Sequence, residues 1–302
     1  MRQAFTGCGT ALVTPFTRSG ALDEAGVRRL ARRQIEAGIH FLVPCGTTGE
    51  TPTLTPEERL RVVEIAVEEA KGKVPVLAGA GGYNTHEVIE SAQQMARAGA
   101  DGILSVAPYY NKPTPEGLYQ HYKAIAEAVP LPVIVYNVPG RTGVNVDVAT
   151  ITRLSAVPNI VGVKEASGNM TQMCEICRAV PPDFLVLSGD DALTLPVMSI
   201  GGRGIVSVAS NEVPAEMSRM VEFAEKGDFA SARKLHHDLL PLMQINFIES
   251  SPIPVKAAMA MMGLLDEIYR LPLVPPRPAS RDRIAQVLRD LGLPLGAATV
   301  RA

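Results

Sequence analysis

Short runs of β-branched and aliphatic residues alternate along this chain with longer segments whose apolar positions recur at a helical period. Eight runs read as strands: GTALVTPF (9–16), HFLVPCG (40–46), VPVLAGAG (74–81), GILSVAP (102–108), PVIVYNVP (132–139), IVGVKEA (160–166), FLVLSGD (184–190) and GIVSVAS (204–210). Segments such as DEAGVRRLARRQIEAG and TPEERLRVVEIAVEEAKG between them read as amphipathic helices. Thr55 is placed as a helix N-cap with Pro56 at the first helical position, and Pro75, Pro132, Pro158 and Pro182 stand at strand entrances. A missing N–H does least harm at those places.

Repeated strand–helix–strand units specify a parallel sheet, and eight of them without a break predict a closed (β/α)8 TIM barrel rather than an open doubly wound sheet. The one glycine-rich stretch, GAGGYN (79–84), follows the third strand and has Asn84 where a dinucleotide fingerprint needs glycine. A nucleotide cofactor is therefore not expected. After Asp228 only helical patterns remain, among them PIPVKAAMAMMGLL and SRDRIAQVLRDLG. The expected division is a barrel domain over 1–227 and a C-terminal helical appendage over 228–302.

Composition narrows the partners. The chain has 302 residues, 46% hydrophobic and 20% charged, enough to bury a large core. Its formal net charge is −2 with both signs interleaved, so it carries no electrostatic footprint for nucleic acid or an anionic membrane. Small molecules and copies of itself are the expected partners. The opening RQAFTGCGTALVTPF has no apolar leader core and no run approaches membrane-spanning length, which predicts a cytoplasmic protein. Four cysteines make no disulfide framework, and the lone CxxC of Cys174 and Cys177 reads as two helix-face residues rather than a zinc or redox site.

A barrel of this type keeps its site at the C-terminal strand ends. Those ends gather Thr47, Thr48 and Glu50; Tyr109, Tyr110 and Asn111; Tyr136, Asn137 and Arg141; Lys164 and Glu165; and Ser188, Gly189 and Asp190. Lys164 is the anomaly, an ammonium closing the apolar run IVGV. Desolvation favours a neutral amine, the nucleophile that a Schiff base requires, but pairing with Glu165 would account for the residue without chemistry. The segment alone leaves both readings open. Strand alternation turns Lys164 and Tyr136 into the barrel, with Gly162 leaving space beside the lysine stem and Val161, Val163 and Glu165 facing away. The turn CGTTGET offers N–H groups and hydroxyls to a carboxylate. Asp190 and Asp191 fit either a divalent metal or a helix cap, and His40 and His121 read as structural.

Taken together, GTTGET, PYYNKPTPEGLYQHY, YNVPGRTG, GVKEASGN and LSGDD resemble the dihydrodipicolinate synthase and N-acetylneuraminate lyase superfamily, pyruvate-dependent class I aldolases on a (β/α)8 barrel. The resemblance implies that Lys164 condenses with pyruvate and that Tyr136 moves protons to and from the imine. It further implies a relay in which Thr48 links Tyr136 to Tyr110, with Tyr110 supplied by a neighbouring subunit. Thr47 and adjacent N–H groups would hold the pyruvate carboxylate, and main-chain groups of Gly189 and Val206 would line the pocket. Arg141 matches the synthase pattern, in which an arginine grips the carboxylate of aspartate semialdehyde. The implied product is 4-hydroxy-tetrahydrodipicolinate, a precursor of lysine and diaminopimelate. It would be made without a metal or other cofactor by a homotetramer arranged as a dimer of dimers.

The chain departs from lysine-inhibited members at Pro56 and Arg59, where those have histidines, and at Tyr83, where they have asparagine; Glu87 and Tyr109 match. Three competing readings accompany the resemblance. One is a sister aldolase for N-acetylneuraminate or a 2-keto-3-deoxy sugar acid, which Arg141 argues against. Another is a metal-dependent aldolase using Glu50, Asp190 or Asp191, and the third is a barrel that only binds a keto acid.

Overall fold

The computed structural model describes residues 2–296. All eight expected strands are present: β1 (Gly7–Ala11), β2 (Phe41–Val43), β3 (Leu77–Gly79), β4 (Gly102–Val106), β5 (Val133–Asn137), β6 (Ile160–Glu165), β7 (Leu185–Ser188) and β8 (Gly204–Ser207). They run parallel in the order β2-β1-β8-β7-β6-β5-β4-β3. A parallel bridge between Leu42 and Val76 joins the two ends and makes a (β/α)8 barrel. At that seam Gly79 is required by contact, because a Cβ there would lie 1.9 Å from the Cys45 carbonyl oxygen. The glycine-rich stretch thus serves close strand approach.

Most strands are shorter than their apolar runs. In β1 the run continues to Phe16, but the Val13 N–H leaves the ladder and donates to the Asn211 side chain. Thr55 caps the helix Pro56–Ala70 as expected, with Glu58 completing a reciprocal capping box.

Two concentric apolar layers follow from the alternation. Phe41, Val43, Leu104, Ile134, Leu185, Leu187 and Val206 fill the barrel, whereas Ile103, Val133, Val135, Val163 and Val186 pack outward against the helices. The last helices, Phe229–Ile245, Ile253–Met261 and Pro278–Asp290, share a core with barrel residues Leu42 and Ile205. Helix Ile253–Met261 is buried on almost every face, in keeping with its run PIPVKAAMAMM. Residues 297–302 of the expected appendage lie outside the described residues. Among the described residues no helix is long and apolar enough to cross a membrane.

Candidate active site

Strand register brings the two central residues together. Tyr136 on β5 pairs in register with Lys164 on β6, so both side chains enter the barrel at the same level. The Lys164 ammonium lies 4.0 Å from the centre of the Tyr136 ring, and both residues are 6% exposed. Contact with an aromatic face compensates part of the cost of burying a cation.

One detail of the alternation differs from expectation. The β5–β6 register shifts between Val133 and Ile134, and the extra residue of this bulge puts Val161 into the barrel interior instead of facing it away. Gly162 does not leave space beside the lysine either. Leu185 fills that position, since a Cβ on Gly162 would meet the Leu185 carbonyl oxygen at 2.6 Å. The glycine that makes room for the lysine is Gly189, beyond the end of β7. A Cβ there would lie 3.1 Å from Lys164 Cε and 2.6 Å from Ala166 Cβ, so an alanine at 189 would push against the lysine stem.

The alternative ion pair is absent. Glu165 faces outward and is fully buried, its Oε2 accepting from Asn137 at 2.9 Å and Gln172 at 3.3 Å and its Oε1 from the Ser167 N–H at 2.8 Å. Its hydrogen-bonding capacity is taken up by amides, and among the described residues Lys164 has no ion-pair partner.

A cavity of about 240 Å³ opens beside this pair, lined by Thr47, Thr51, Arg59, Val106, Tyr109, Tyr136, Val138 and Arg141 among others. It suits a small acid, being below the roughly 300–1,000 Å³ of drug-sized sites. Tyr136 forms part of its wall; Lys164, in contact with that ring, and Thr48 are not among the lining residues. Thr47 and Thr48 begin the short 3-10 turn Thr47–Gly49, so their N–H groups have no carbonyl partner within the turn. Arg141 sits on the short helix Pro139–Thr142, exposed at the mouth, with Nη2 donating to the Ser251 carbonyl at 2.9 Å. The wall therefore carries both a guanidinium and a turn with free donors.

Residues 4–291 match the model of the dihydrodipicolinate synthetase family. The chain belongs to that family. A curated relative from Koribacter versatilis, named 4-hydroxy-tetrahydrodipicolinate synthase, is 56% identical over 95% of this chain and 96% of its own. The crystal structure of dihydrodipicolinate synthase from Aquifex aeolicus superposes with a TM-score of 0.94 at 44% identity, covering 96% of this chain and 99% of that one. A dihydrodipicolinate synthase variant described as monomeric superposes with a TM-score of 0.94 at 42% identity, over 97% and 98% of the two chains.

Other residues singled out by this family resemblance fall at varied places. Thr48 is buried in the turn, and Val206 is buried inside the barrel. Tyr110 is 90% exposed with a left-handed backbone (φ 68°). Among the described residues no hydrogen bond joins Thr48 to either tyrosine. Beside it, Tyr83 and Tyr109 meet edge to face at 5.2 Å.

The carboxylates weighed as metal ligands are engaged elsewhere. Asp191 is buried and accepts from Ser207 Oγ and from the Val208 and Ala209 N–H groups, while burial raises its pKa. Asp190 caps the following turn, and Glu50 is ion-paired with Lys256. His121 hydrogen-bonds Thr85, and burial lowers its pKa to about 4. Cys45 lines the cavity, but burial pushes its thiol up to about 12, far from the thiolate a nucleophile needs.

The Glu50–Lys256 pair was not anticipated from sequence. Its members are 206 positions apart, and the available signal was the one that exposed Lys164: a lysine inside an apolar run, here PIPVKAAMAMM.

Proposed function

We propose that this chain is a class I aldolase-type lyase that condenses pyruvate with L-aspartate 4-semialdehyde to 4-hydroxy-tetrahydrodipicolinate, through a Schiff base on Lys164. The observation that carries the reading is the buried Lys164 ammonium, without a carboxylate partner among the described residues, held against the Tyr136 ring beside a cavity for a small acid. In the neutral form its amine attacks the keto carbon of pyruvate, and loss of water gives the imine. Loss of a methyl proton then gives the enamine, whose carbon attacks the aldehyde of the second substrate. The amine of that substrate finally displaces Lys164 and closes the ring. In this scheme Tyr136, whose ring touches the Lys164 ammonium, carries protons through its phenol. Lys164 supplies the electron sink itself, so the scheme requires no cofactor.

The Thr47–Thr48 N–H groups suit the pyruvate carboxylate, and Arg141, in the same cavity wall, suits the carboxylate of the semialdehyde. Arg141→Ala is expected to raise the KM for aspartate semialdehyde by at least about tenfold, the worth of one charge-assisted hydrogen bond. Trapping of pyruvate by borohydride should remain. Parallel assays of synthesis and of cleavage of 2-keto-3-deoxy sugar acids test the substrate assignment; faster cleavage than synthesis contradicts it.

Tyr110 serves the relay only if its side chain enters a neighbouring copy, which calls for at least a dimer; the family resemblance extends this to a homotetramer arranged as a dimer of dimers. Sedimentation velocity at assay concentrations is expected to show a dimer or larger species. A fully active monomer contradicts this role for Tyr110.

A further inference from the structure

Both polar walls of the cavity are fastened to one stretch of the C-terminal segment, residues 251–256. On one side Arg141 donates to the Ser251 carbonyl. On the other the Glu50 carboxylate pairs with the Lys256 ammonium, which lies 4.2 Å from the centre of the Phe16 ring and 5.4 Å from that of Tyr269. Neither member reaches solvent, with Lys256 at 0% and Glu50 at 2% exposure.

Glu50 is part of the turn that carries the free donors. Its N–H closes that turn on the Thr47 carbonyl at 3.1 Å, and its own backbone is left-handed (φ 53°). The Thr53 N–H and hydroxyl both donate to its carbonyl. The Thr14 hydroxyl also ties this turn at the Gly49 carbonyl and the Thr51 hydroxyl at the Gly46 carbonyl, and the Glu50–Lys256 pair is the tie that anchors it to the C-terminal segment. A buried ion pair is a weak source of net stability, and its best-attested use is to fix register. The register fixed here is that of the turn against helix Ile253–Met261.

We propose that Lys256 is a positioning residue: through Glu50 it holds the Thr47–Thr48 turn at the spacing that grips the keto-acid carboxylate. The inference rests on the carboxylate role assigned to that turn above. Lys256 touches no substrate in this account, and its effect is confined to the first half of the reaction.

The test is the double variant Glu50→Gln/Lys256→Met, which removes both charges and leaves no lone ion buried. Half-saturation by pyruvate, read from borohydride trapping and from steady-state KM, is expected to rise about tenfold or more. The KM for aspartate semialdehyde should stay within about twofold. Met259→Ala, a buried truncation on the same helix that spares the pair, controls for lost stability. It is expected to lower the unfolding midpoint without moving pyruvate half-saturation.

A folded double variant with unchanged pyruvate half-saturation overturns the proposal, as does an equal rise in Met259→Ala. If the double variant does not fold, Glu50→Asp, which keeps both charges but retracts the carboxylate by one methylene, is read by the same two outcomes. Wild-type protein that forms no pyruvate adduct overturns the Schiff-base reading itself and this one with it, a result distinct from an adduct with unchanged affinity.

Discussion

Lys164→Ala is expected to reduce condensation by at least about 10⁴-fold, to the level left by binding and general acid–base help alone. Among the described residues no lysine lines the cavity. Lys256 is tied to Glu50 in its own buried pair, and the cations that line the cavity, Arg141 and Arg59, are guanidinium groups rather than amines. The fold should survive the change, for a reason visible in the packing. Among the described residues Lys164 has no ion-pair partner to orphan, and its ammonium makes an aromatic contact worth about 0.5–2 kcal/mol. Lys164→Met, which keeps the stem volume, should therefore unfold within about 2 kcal/mol of wild type, while removing activity just as completely. Chemical denaturation beside the activity assay checks both. A large loss of stability in the Met variant, with activity retained, would assign the lysine to structure.

Tyr136→Phe is expected to lower kcat by roughly 10²–10⁴-fold, the usual worth of a positioned proton-transfer group. Only the phenolic oxygen is removed. The ring stays against the Lys164 ammonium and in the inner cluster with Ile134, so adduct formation should slow without vanishing. Single-turnover trapping with borohydride separates the two effects. A variant that traps and turns over at the wild-type rate would remove the phenol from the mechanism.

The fold was legible because its signal repeats. Each unit carries an apolar run, a turn and an amphipathic segment, so errors of a few residues at strand ends did not disturb the order of eight. The Lys164–Tyr136 pairing was legible for a related reason, since alternation fixes which residues share a face once two strands are adjacent. The same reasoning misplaced Val161, because a bulge inserts one residue without changing composition or periodicity. It also assigned Gly162 the space that Gly189 provides. Which glycine faces a given side chain depends on the neighbouring strand, and nothing local to Gly162 reports that Leu185 occupies its side.

Long-range polar contacts were the least legible. Glu50 belongs to the turn after β2 and Lys256 to a helix near the end of the chain, and no spacing rule links them. The commitment of Glu165 to Asn137 and Gln172 was hidden for the same reason, and that commitment is what resolves the ion-pair alternative for Lys164.

The central claim is that Lys164 becomes covalently bound to the keto carbon of pyruvate. Intact-mass spectrometry after incubation with pyruvate and borohydride, followed by peptide mapping, tests it most directly. One reduced pyruvate adduct per chain is expected, on the peptide that contains Lys164. An unmodified chain, or an adduct on any other lysine, would contradict it.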